Sequence, residues 1–253
     1  MLDLQRLGQV RVATLSRPPV NALDGALLEQ LEAALDAALA DEATTVLHLR
    51  SDQRAFCAGA DLALMRSALD TAEGRETMIR VVERMQRLFT RVEDAPVVTL
   101  AEIGGAAMGG GLELALACDL RVAAVEAKLG LPEAGLGLLP AAGGTQRLAR
   151  LCGEATAKRL ILGAAAIDGA EALRLGLVQW ARPRNEVAAW TRALAARIAE
   201  LPKFALASAK RCIGAQRDST RDGFAEEIAA TRALYDDPET RRRVSAFLAK
   251  RTT

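Results

Sequence analysis

Aromatic side chains are scarce in this chain: Phe, Trp and Tyr together make up 3% of its 253 residues, although 51% of the residues are apolar. The core must therefore be built from Ala, Leu and Val, and the stacking platforms that single-stranded nucleic acid requires are missing. Histidine occurs once, as His48. The cysteines (Cys57, Cys118, Cys152 and Cys212) lie far apart and form no Cys-x-x-Cys pair, so a zinc site of the usual Cys/His kind is excluded. A Ser-His-Asp hydrolase would have to use His48, which alternates within an apparently buried strand, and no Gly-x-Ser-x-Gly turn accompanies it. The formal net charge is +1, which makes no general case for a nucleic-acid or membrane partner. No apolar run is long enough to span a bilayer. The N-terminus enters strand-like sequence without an apolar signal core, so secretion is not indicated and free thiols in a reducing, cytoplasmic setting are expected.

What is present fits one large domain, or a core with a helical appendage, with enough chain to bury a core unaided by metal or disulfide. Short β-branched runs at Val10–Leu15, Val46–Arg50, Val97–Ala101 and Leu120–Ala124 read as strands. Leu27, Leu28, Leu31, Leu35 and Leu39 recur at helical spacing, as do Met78, Val82, Met85 and Phe89. Alternating strands and helices predict an α/β fold whose strands are largely buried. Asp168 to Glu171 reads as a capped helix start, with Gly176 as its stop. From about Glu186 strands disappear and three or four amphipathic helices follow without a linker. The boundary is expected between a core over residues 1–190 and a helical region over 191–253. Charge is uneven: residues 1–180 hold 18 Lys/Arg against 23 Asp/Glu, and residues 181–253 hold 15 against 9. Such runs on helices usually face solvent.

Three clusters carry chemical interest. Phe56-Cys-Ala-Gly-Ala-Asp-Leu62 follows a strand and precedes an apolar helix containing Leu64 and Met65. Asp61 stands where a helix N-cap would, and Ala58, Gly59 and Ala60 have little bulk to keep a ligand from the backbone N–H groups. Gly104 to Glu113 is a glycine-rich strand-to-helix turn. It is neither a dinucleotide fingerprint nor a phosphate loop, lacking the acidic partner of the first and the Gly-Lys-Ser/Thr of the second. Gly110 and Glu113 share a face of the first helical turn, and the Gly110 N–H points out at the positive end of the helix dipole. A second free N–H at Ala60 would complete a two-donor hole for an oxyanion. The third cluster is Leu131-Pro132-Glu133, followed by Leu139-Pro140-Ala-Ala-Gly143-Gly144-Thr145. A glutamate beside a rigid proline in apolar sequence is a candidate for the raised pKa of a general acid.

These motifs, in this order, resemble the enoyl-CoA hydratase/isomerase (crotonase) family, and the likeness runs from Arg17-Pro-Pro-Val-Asn-Ala-Leu23 to Phe247-Leu-Ala-Lys-Arg251. The resemblance implies a spiral of β-β-α turns with a C-terminal helical trimerisation region, assembled as a homotrimer or a hexameric dimer of trimers. It implies an acyl-CoA substrate, with no cofactor beyond the coenzyme A that the substrate carries. The N–H groups of Ala60 and Gly110 would hold the thioester oxygen, and Ala22, Leu23, Ala58, Asp61, Leu62, Pro132 and Ala141 would border the substrate groove. Glu113 matches the residue that orients and deprotonates the water, and Glu133 the one that protonates the α-carbon. Relatives that isomerise or decarboxylate commonly keep fewer acids, so the pair, 20 residues apart, favours hydration.

The sequence departs from the family pattern in places. Ala141 replaces the glycine usual after Pro140, and Gly104 stands where a polar residue often precedes Gly105. Ala63 replaces a frequent lysine, which relocates or removes a phosphate contact. Arg242 and Arg243 replace a common Glu-Gly, which bears on the C-terminal subunit contact. Two readings compete with hydration: isomerisation or decarboxylation on the same fold, and RNA binding through Arg241-Arg242-Arg243. The second lacks interleaved aromatics. His48 is expected to be a satisfied core imidazole, and Asp119 to cap the helix after the glycine-rich turn and support packing.

Overall fold

The structure, a computed structural model, describes residues 1–250; Arg251, which ends the C-terminal motif, lies outside the described residues. The strands are β1 (Leu2–Leu7), β2 (Val10–Leu15), β3 (Val46–Ser51), β4 (Ala55–Cys57), β5 (Val98–Ile103), β6 (Ala106–Met108), β7 (Leu120–Ala124), β8 (Lys128–Gly130), β9 (Ala166–Asp168) and β10 (Trp180–Arg182). They divide into a six-stranded sheet of order β1-β2-β3-β5-β7-β10 and a four-stranded sheet of order β4-β6-β8-β9. All neighbours are parallel except the β1–β2 hairpin and the β8–β9 pair. The four strands expected from β-branched runs are β2, β3, β5 and β7, all in the large sheet.

Chain order explains why two sheets form. β3, β5 and β7 each run into a three-residue strand, β4, β6 and β8, that belongs to the small sheet, and helix follows. Every lap of β-β-α thus adds one strand to each sheet, which is the expected spiral. The large sheet is covered on both sides, so its central strands are largely buried: Leu47, Leu49, Leu100, Ala101, Ile103, Val122 and Ala123 are apolar, and the interspersed His48, Thr99, Glu102 and Arg121 are buried with them.

Helix α1 (Gly25–Ala40) starts at Asp24, whose Oδ1 accepts the N–H of Leu27 at 2.8 Å. It buries Leu27, Leu28, Leu31 and Leu35 against the sheet. Truncating fully buried Leu28 to Ala would cost about 2–5 kcal/mol. Helix α2 (Leu62–Asp70) departs from expectation, because none of its side chains is buried and Leu62 and Leu69 are exposed. It pairs with the start of α3 (Ala72–Asp94), whose buried stripe begins only at Met85 and continues through Leu88, Phe89 and Val92. Met78 and Val82 are accordingly half-buried.

Helix α4 (Gly110–Ala117) is buried along its whole length. Its C-terminal carbonyls are met by Arg121, whose Nη1 donates to Cys118 O at 2.6 Å and Ala115 O at 3.4 Å, while Nε donates to Leu177 O at 2.7 Å. A cation there complements the helix dipole. Asp119 is not the cap. Its Oδ2 accepts from Thr99 N and from Lys210 Nζ, both at 2.7 Å, and so ties β5 to the C-terminal helices. After β8 come a 3₁₀ turn (Glu133–Leu136), α5 (Gly144–Cys152) and α6 (Glu154–Leu162). α7 (Gly169–Arg174) begins at Asp168, which accepts from Glu171 N, and ends before Gly176 in the left-handed region, as the motif predicts.

Four helices close the described chain: α8 (Arg184–Ala199), α9 (Lys203–Ala215), α10 (Gly223–Asp236) and α11 (Pro238–Ala249). The expected boundary at residues 190/191 falls inside α8, which covers the large sheet and buries Val187, Thr191, Leu194 and Ala195. Burial then thins, with Ala230 alone buried on α10 and no residue buried on α11. His48, on β3, is fully buried. Its Nε2 lies 3.1 Å from Glu102 Oε2, yet neither ring nitrogen has a hydrogen-bond partner, so the expected satisfied core imidazole is not what the structure shows. Among the described residues no group of His, Cys, Asp or Glu is placed to hold a metal, and no helix is long and apolar enough to cross a membrane.

Candidate active site

β4, β6 and β8 lie side by side and parallel, with Cys57 opposite Ala107 and Ala107 opposite Leu129. Their carboxyl ends therefore open on one edge of the small sheet, the usual location of ligands in parallel sheets. The segments leaving those ends are Ala58-Gly59-Ala60-Asp61, Gly109-Gly110 and Leu131-Pro132-Glu133. The three clusters singled out from sequence thus meet at one place.

The first segment is held by pairing with residues 20–23. Ala58 N–H donates to Val20 O, Leu23 N–H to Gly59 O and Asp61 N–H to Leu23 O, at 2.7–3.0 Å. This short parallel bridge uses the N–H groups of Ala58 and Asp61 and the Gly59 carbonyl, but not the Ala60 N–H. Asp61 caps α2 through Ala63 N at 2.8 Å and accepts from Arg17 Nη2 at 2.8 Å. Arg17 also reaches Asp24 and the Ala22 carbonyl, which locks residues 17–24 to the segment. Asn21 adopts φ 53° and bonds Ser51 and Phe56 O from inside. Of the residues expected to border the groove, Ala58 and Leu62 are exposed and Ala22, Ala60, Asp61, Pro132 and Ala141 half-buried. Leu23 is fully buried, and its N–H and carbonyl are both spent on the bridge to Gly59 and Asp61.

In the second segment the α4 ladder opens with Glu113 N–H donating to Gly109 O at 3.0 Å. The Gly110 N–H precedes that bond and is one of the helix's unsatisfied N-terminal donors. Side chains are excluded here by contact: a Cβ on Gly110 would lie 2.7 Å from Met85 Cε and 3.1 Å from Leu23 Cδ1. A Cβ on Gly59 would come within 3.3 Å of the Gly110 nitrogen. The two glycine-bearing segments pack backbone to backbone, which brings Ala60 and Gly110 into one locality.

The two carboxyls complete the edge. Glu133 follows Pro132 in the 3₁₀ turn, and its Oε1 would lie 2.9 Å from a Cβ on Gly109. It therefore sits over the N-terminus of α4. Its Oε2 is buried without a partner, and burial pushes its pKa up, as Pro132 and the apolar setting predicted. Glu113, 2% exposed, is displaced further. Burial raises its pKa to about 7, the Gly144 N–H opposes the shift, and the Glu133 charge adds to it. The Gly144 N–H donates to Glu113 Oε1 at 2.7 Å, and the Ala142 N–H also faces the carboxyl. Sequence reading missed this clasp, although Gly143-Gly144 within the third cluster was its signal. The geometry provides two coupled carboxyls of raised pKa beside a helix N-terminus, an arrangement able to move a proton on and off a bound electrophile.

Comparison with known proteins agrees with this arrangement. The family profile described as enoyl-CoA hydratase/isomerase matches residues 6–253. The chain is 39% identical over 244 residues to a probable enoyl-CoA hydratase of Bacillus subtilis, covering 96% of this chain and 93% of that one. It is 36% identical over 253 residues to the 2,3-dehydroadipyl-CoA hydratase of Escherichia coli, covering 99% and 96%. The crystal structure of an enoyl-CoA hydratase from Bacillus anthracis superposes with a TM-score of 0.91 at 33% identity, covering 98% of this chain and 96% of the other. With these likenesses along nearly its whole length and the crotonase spiral in its fold, the chain is an enzyme belonging to the enoyl-CoA hydratase/isomerase family.

Proposed function

We propose that the protein adds water across the 2,3 double bond of a 2-enoyl-CoA thioester. The observation that carries this reading is the pair Glu113 and Glu133, both of raised pKa, at the edge where the Gly110 N–H is unsatisfied. The thioester oxygen lies between the N–H groups of Ala60 and Gly110. Each donor is worth about 3 kcal/mol as charge develops on that oxygen. Glu113 takes a proton from water as the hydroxyl bonds to the β-carbon, and Glu133 delivers its proton to the α-carbon. Atoms and charge then balance as one added water, and the pair resets by returning a proton from Glu113 to Glu133. No metal or redox group enters these steps, since the acid, the base and the oxyanion donors all come from the chain.

One proton must be shared by the pair. The state with the proton on Glu133 serves hydration, and the state with the proton on Glu113 serves the reverse reaction, in which Glu133 removes the α-proton and Glu113 protonates the departing hydroxyl.

The groove formed by Ala22, Ala58, Asp61 and Leu62 is assigned to coenzyme A, and Pro132 and Ala141 to the acyl end. Residues 191–253 are assigned to assembly as a trimer or dimer of trimers, supported by the exposed Phe224, Ile228 and Tyr235 on α10. Four free cysteines accord with a cytoplasmic location. Against the RNA-binding alternative stands the lack of aromatic residues interleaved with Arg241-Arg242-Arg243.

The test is a panel of trans-2-enoyl-CoA thioesters of increasing length, incubated with purified protein without added metal or redox cofactor. Loss of enoyl absorbance with a mass gain of one water is expected for a short or medium chain. No such gain across the panel overturns the reading.

A further inference from the structure

Arg147 takes no part in the acid pair, yet its side chain is only 7% exposed. On α5 it directs Nε and Nη2 at Glu93 Oε2, at 2.9 and 2.8 Å, and Nη1 at the Ala142 carbonyl, at 3.1 Å. Its guanidinium fills the space above Gly143, where φ is +105° and a Cβ would collide with Nη1. Ala142 and Gly144, on either side of that glycine, are the residues whose N–H groups face Glu113. A second tie acts on the same loop, because Gln86 Nε2 donates to the Ala141 carbonyl at 2.6 Å. Gln86, Thr90 and Glu93 fall four and three residues apart along one stripe of α3, and Thr90 Oγ1 lies 3.4 Å from Arg147 Nη2. One face of α3 therefore grips the 141–144 loop on its carbonyl side while the loop's N–H groups hold Glu113.

We propose that Arg147, anchored by Glu93, is a positioning residue for Glu113, fixing the Ala142–Gly144 backbone so that its N–H groups keep that carboxyl aimed at the reacting water. The kinetic part of this inference rests on the hydratase reading, whereas the part concerning Glu113 itself does not. The charged groups facing Glu113 are Glu133 from the 3₁₀ turn and Arg147 from α5. Arg147 is in turn faced by Glu93, whose other oxygen binds Arg150 and, from beyond α9, Arg217. Loss of the Arg147 charge and loosening of the N–H donors both disfavour the Glu113 carboxylate. Its pKa should therefore rise.

The experiment compares full-length Arg147→Gln, Arg147→Lys and Arg150→Gln. Steady-state hydration is measured against pH, and Glu113 is titrated in substrate-free protein by carboxyl-carbon NMR, its signal assigned with Glu113→Gln. Arg147→Gln should lower kcat by about ten- to a hundred-fold, as expected for a misplaced catalytic group, with KM near wild type. Its alkaline limb and its Glu113 titration should both move to higher pH. Added guanidinium ion should restore part of kcat, entering by the cleft of about 500 Å³ that Gln86, Glu93, Gly143 and Arg147 line. Arg147→Lys, which keeps the charge but not the fork, should fall between. Arg150→Gln, which removes a partner of the same glutamate without touching the loop, should match wild type. Unchanged kcat and Glu113 titration in Arg147→Gln would overturn the proposal, as would a loss of activity matching only the unfolded fraction in thermal melts. If Arg147→Gln does not fold, Arg147→Lys, which keeps the charge, must still lower kcat with KM near wild type or the proposal fails. Should the wild type hydrate no thioester, the hydratase reading falls, and the NMR titration still decides the role of Arg147.

Discussion

Gly144 donates its N–H to Glu113 Oε1 at 2.7 Å, and a Cβ on Gly144 would lie 2.9 Å from that same oxygen. The residue that holds the base is thus one that cannot carry a side chain. Gly144→Ala would also press on Leu131 Cδ1 and Pro140 Cβ, each 2.9 Å away, so Glu113 is the group that moves. Turnover should drop about a hundred-fold, while a saturated acyl-CoA should bind as before in calorimetry. Wild-type turnover in Gly144→Ala would mean that Glu113 needs no such fixing.

Glu113 should also destabilise the protein at neutral pH. Its folded pKa is raised from 4.5 to about 7, so the folded state binds its proton more tightly than the unfolded state. Relative to the ionised acid, the stability that the bound proton contributes is fully present below pH 4.5 and is lost as pH rises from there through about 7. Glu113→Gln retains an oxygen for the Gly144 N–H but no charge. It should melt at higher temperature than wild type at pH 8, by a margin worth at most about 3 kcal/mol, and the margin should close below pH 4.5. Calorimetric melts across this range check both the sign and the window.

The shared proton predicts a bell-shaped pH dependence of kcat/KM whose alkaline limb lies near 7. Above it neither acid holds the proton, and well below it both do; the apparent values belong to the pair and not to either residue. Glu133→Gln removes the charge that raises Glu113, so Glu113 should titrate at lower pH in that variant. An upward shift, measured by carboxyl-carbon NMR, would contradict the coupling.

Isotope exchange separates the two roles. Removing either acid should cost about 10²–10⁴-fold in turnover, with acyl-CoA binding retained. Glu113→Ala should still exchange the α-proton of a saturated acyl-CoA with deuterated water, and Glu133→Ala should not. Exchange that depends on Glu113 and ignores Glu133 would reverse the assignment.

The proposed trimer or hexamer is expected to bury the last helices, where Phe224, Ile228 and Tyr235 on α10 and Val244 on α11 are exposed apolar residues. Light scattering at micromolar concentration should report a trimer or hexamer, and Phe224→Asp with Ile228→Asp should dissociate it. A stable wild-type monomer would contradict this and direct attention to Arg242 and Arg243, which bond Glu239 on their own helix.

Much of the large sheet was legible because its buried parallel strands are short, mostly apolar stretches begun or carried by valine, as at Val46–Ser51 and Leu120–Ala124. The small sheet was not, since Ala55–Cys57, Ala106–Met108 and Lys128–Gly130 are three residues each, too short to show alternation. The site itself was visible through its glycines, its two glutamates and the Asp61 cap, where one residue type answers one backbone requirement. What escaped notice was long-range. The Gly144 hold on Glu113 joins residues 31 apart in sequence, and the Arg147–Glu93 pair residues 54 apart. Likewise the sequence shows an apolar helix at Leu64 and Met65, and only the placement of α2 beside the first half of α3 explains why none of its residues is buried.

Because β4, β6 and β8 belong to successive laps, each reactive segment is delivered by its own stretch of chain and fixed by its neighbours in the small sheet. Helix α2 and the first turns of α3 pack mainly on each other, so that stretch can lengthen or shorten while the edge that holds Ala60, Gly110 and Glu133 stays in register. The second half of α3 has no such freedom, because Met85 meets the Gly110 position and Gln86 and Glu93 reach the loop that holds Glu113. The fold therefore confines its tolerance for insertion to one part of one lap.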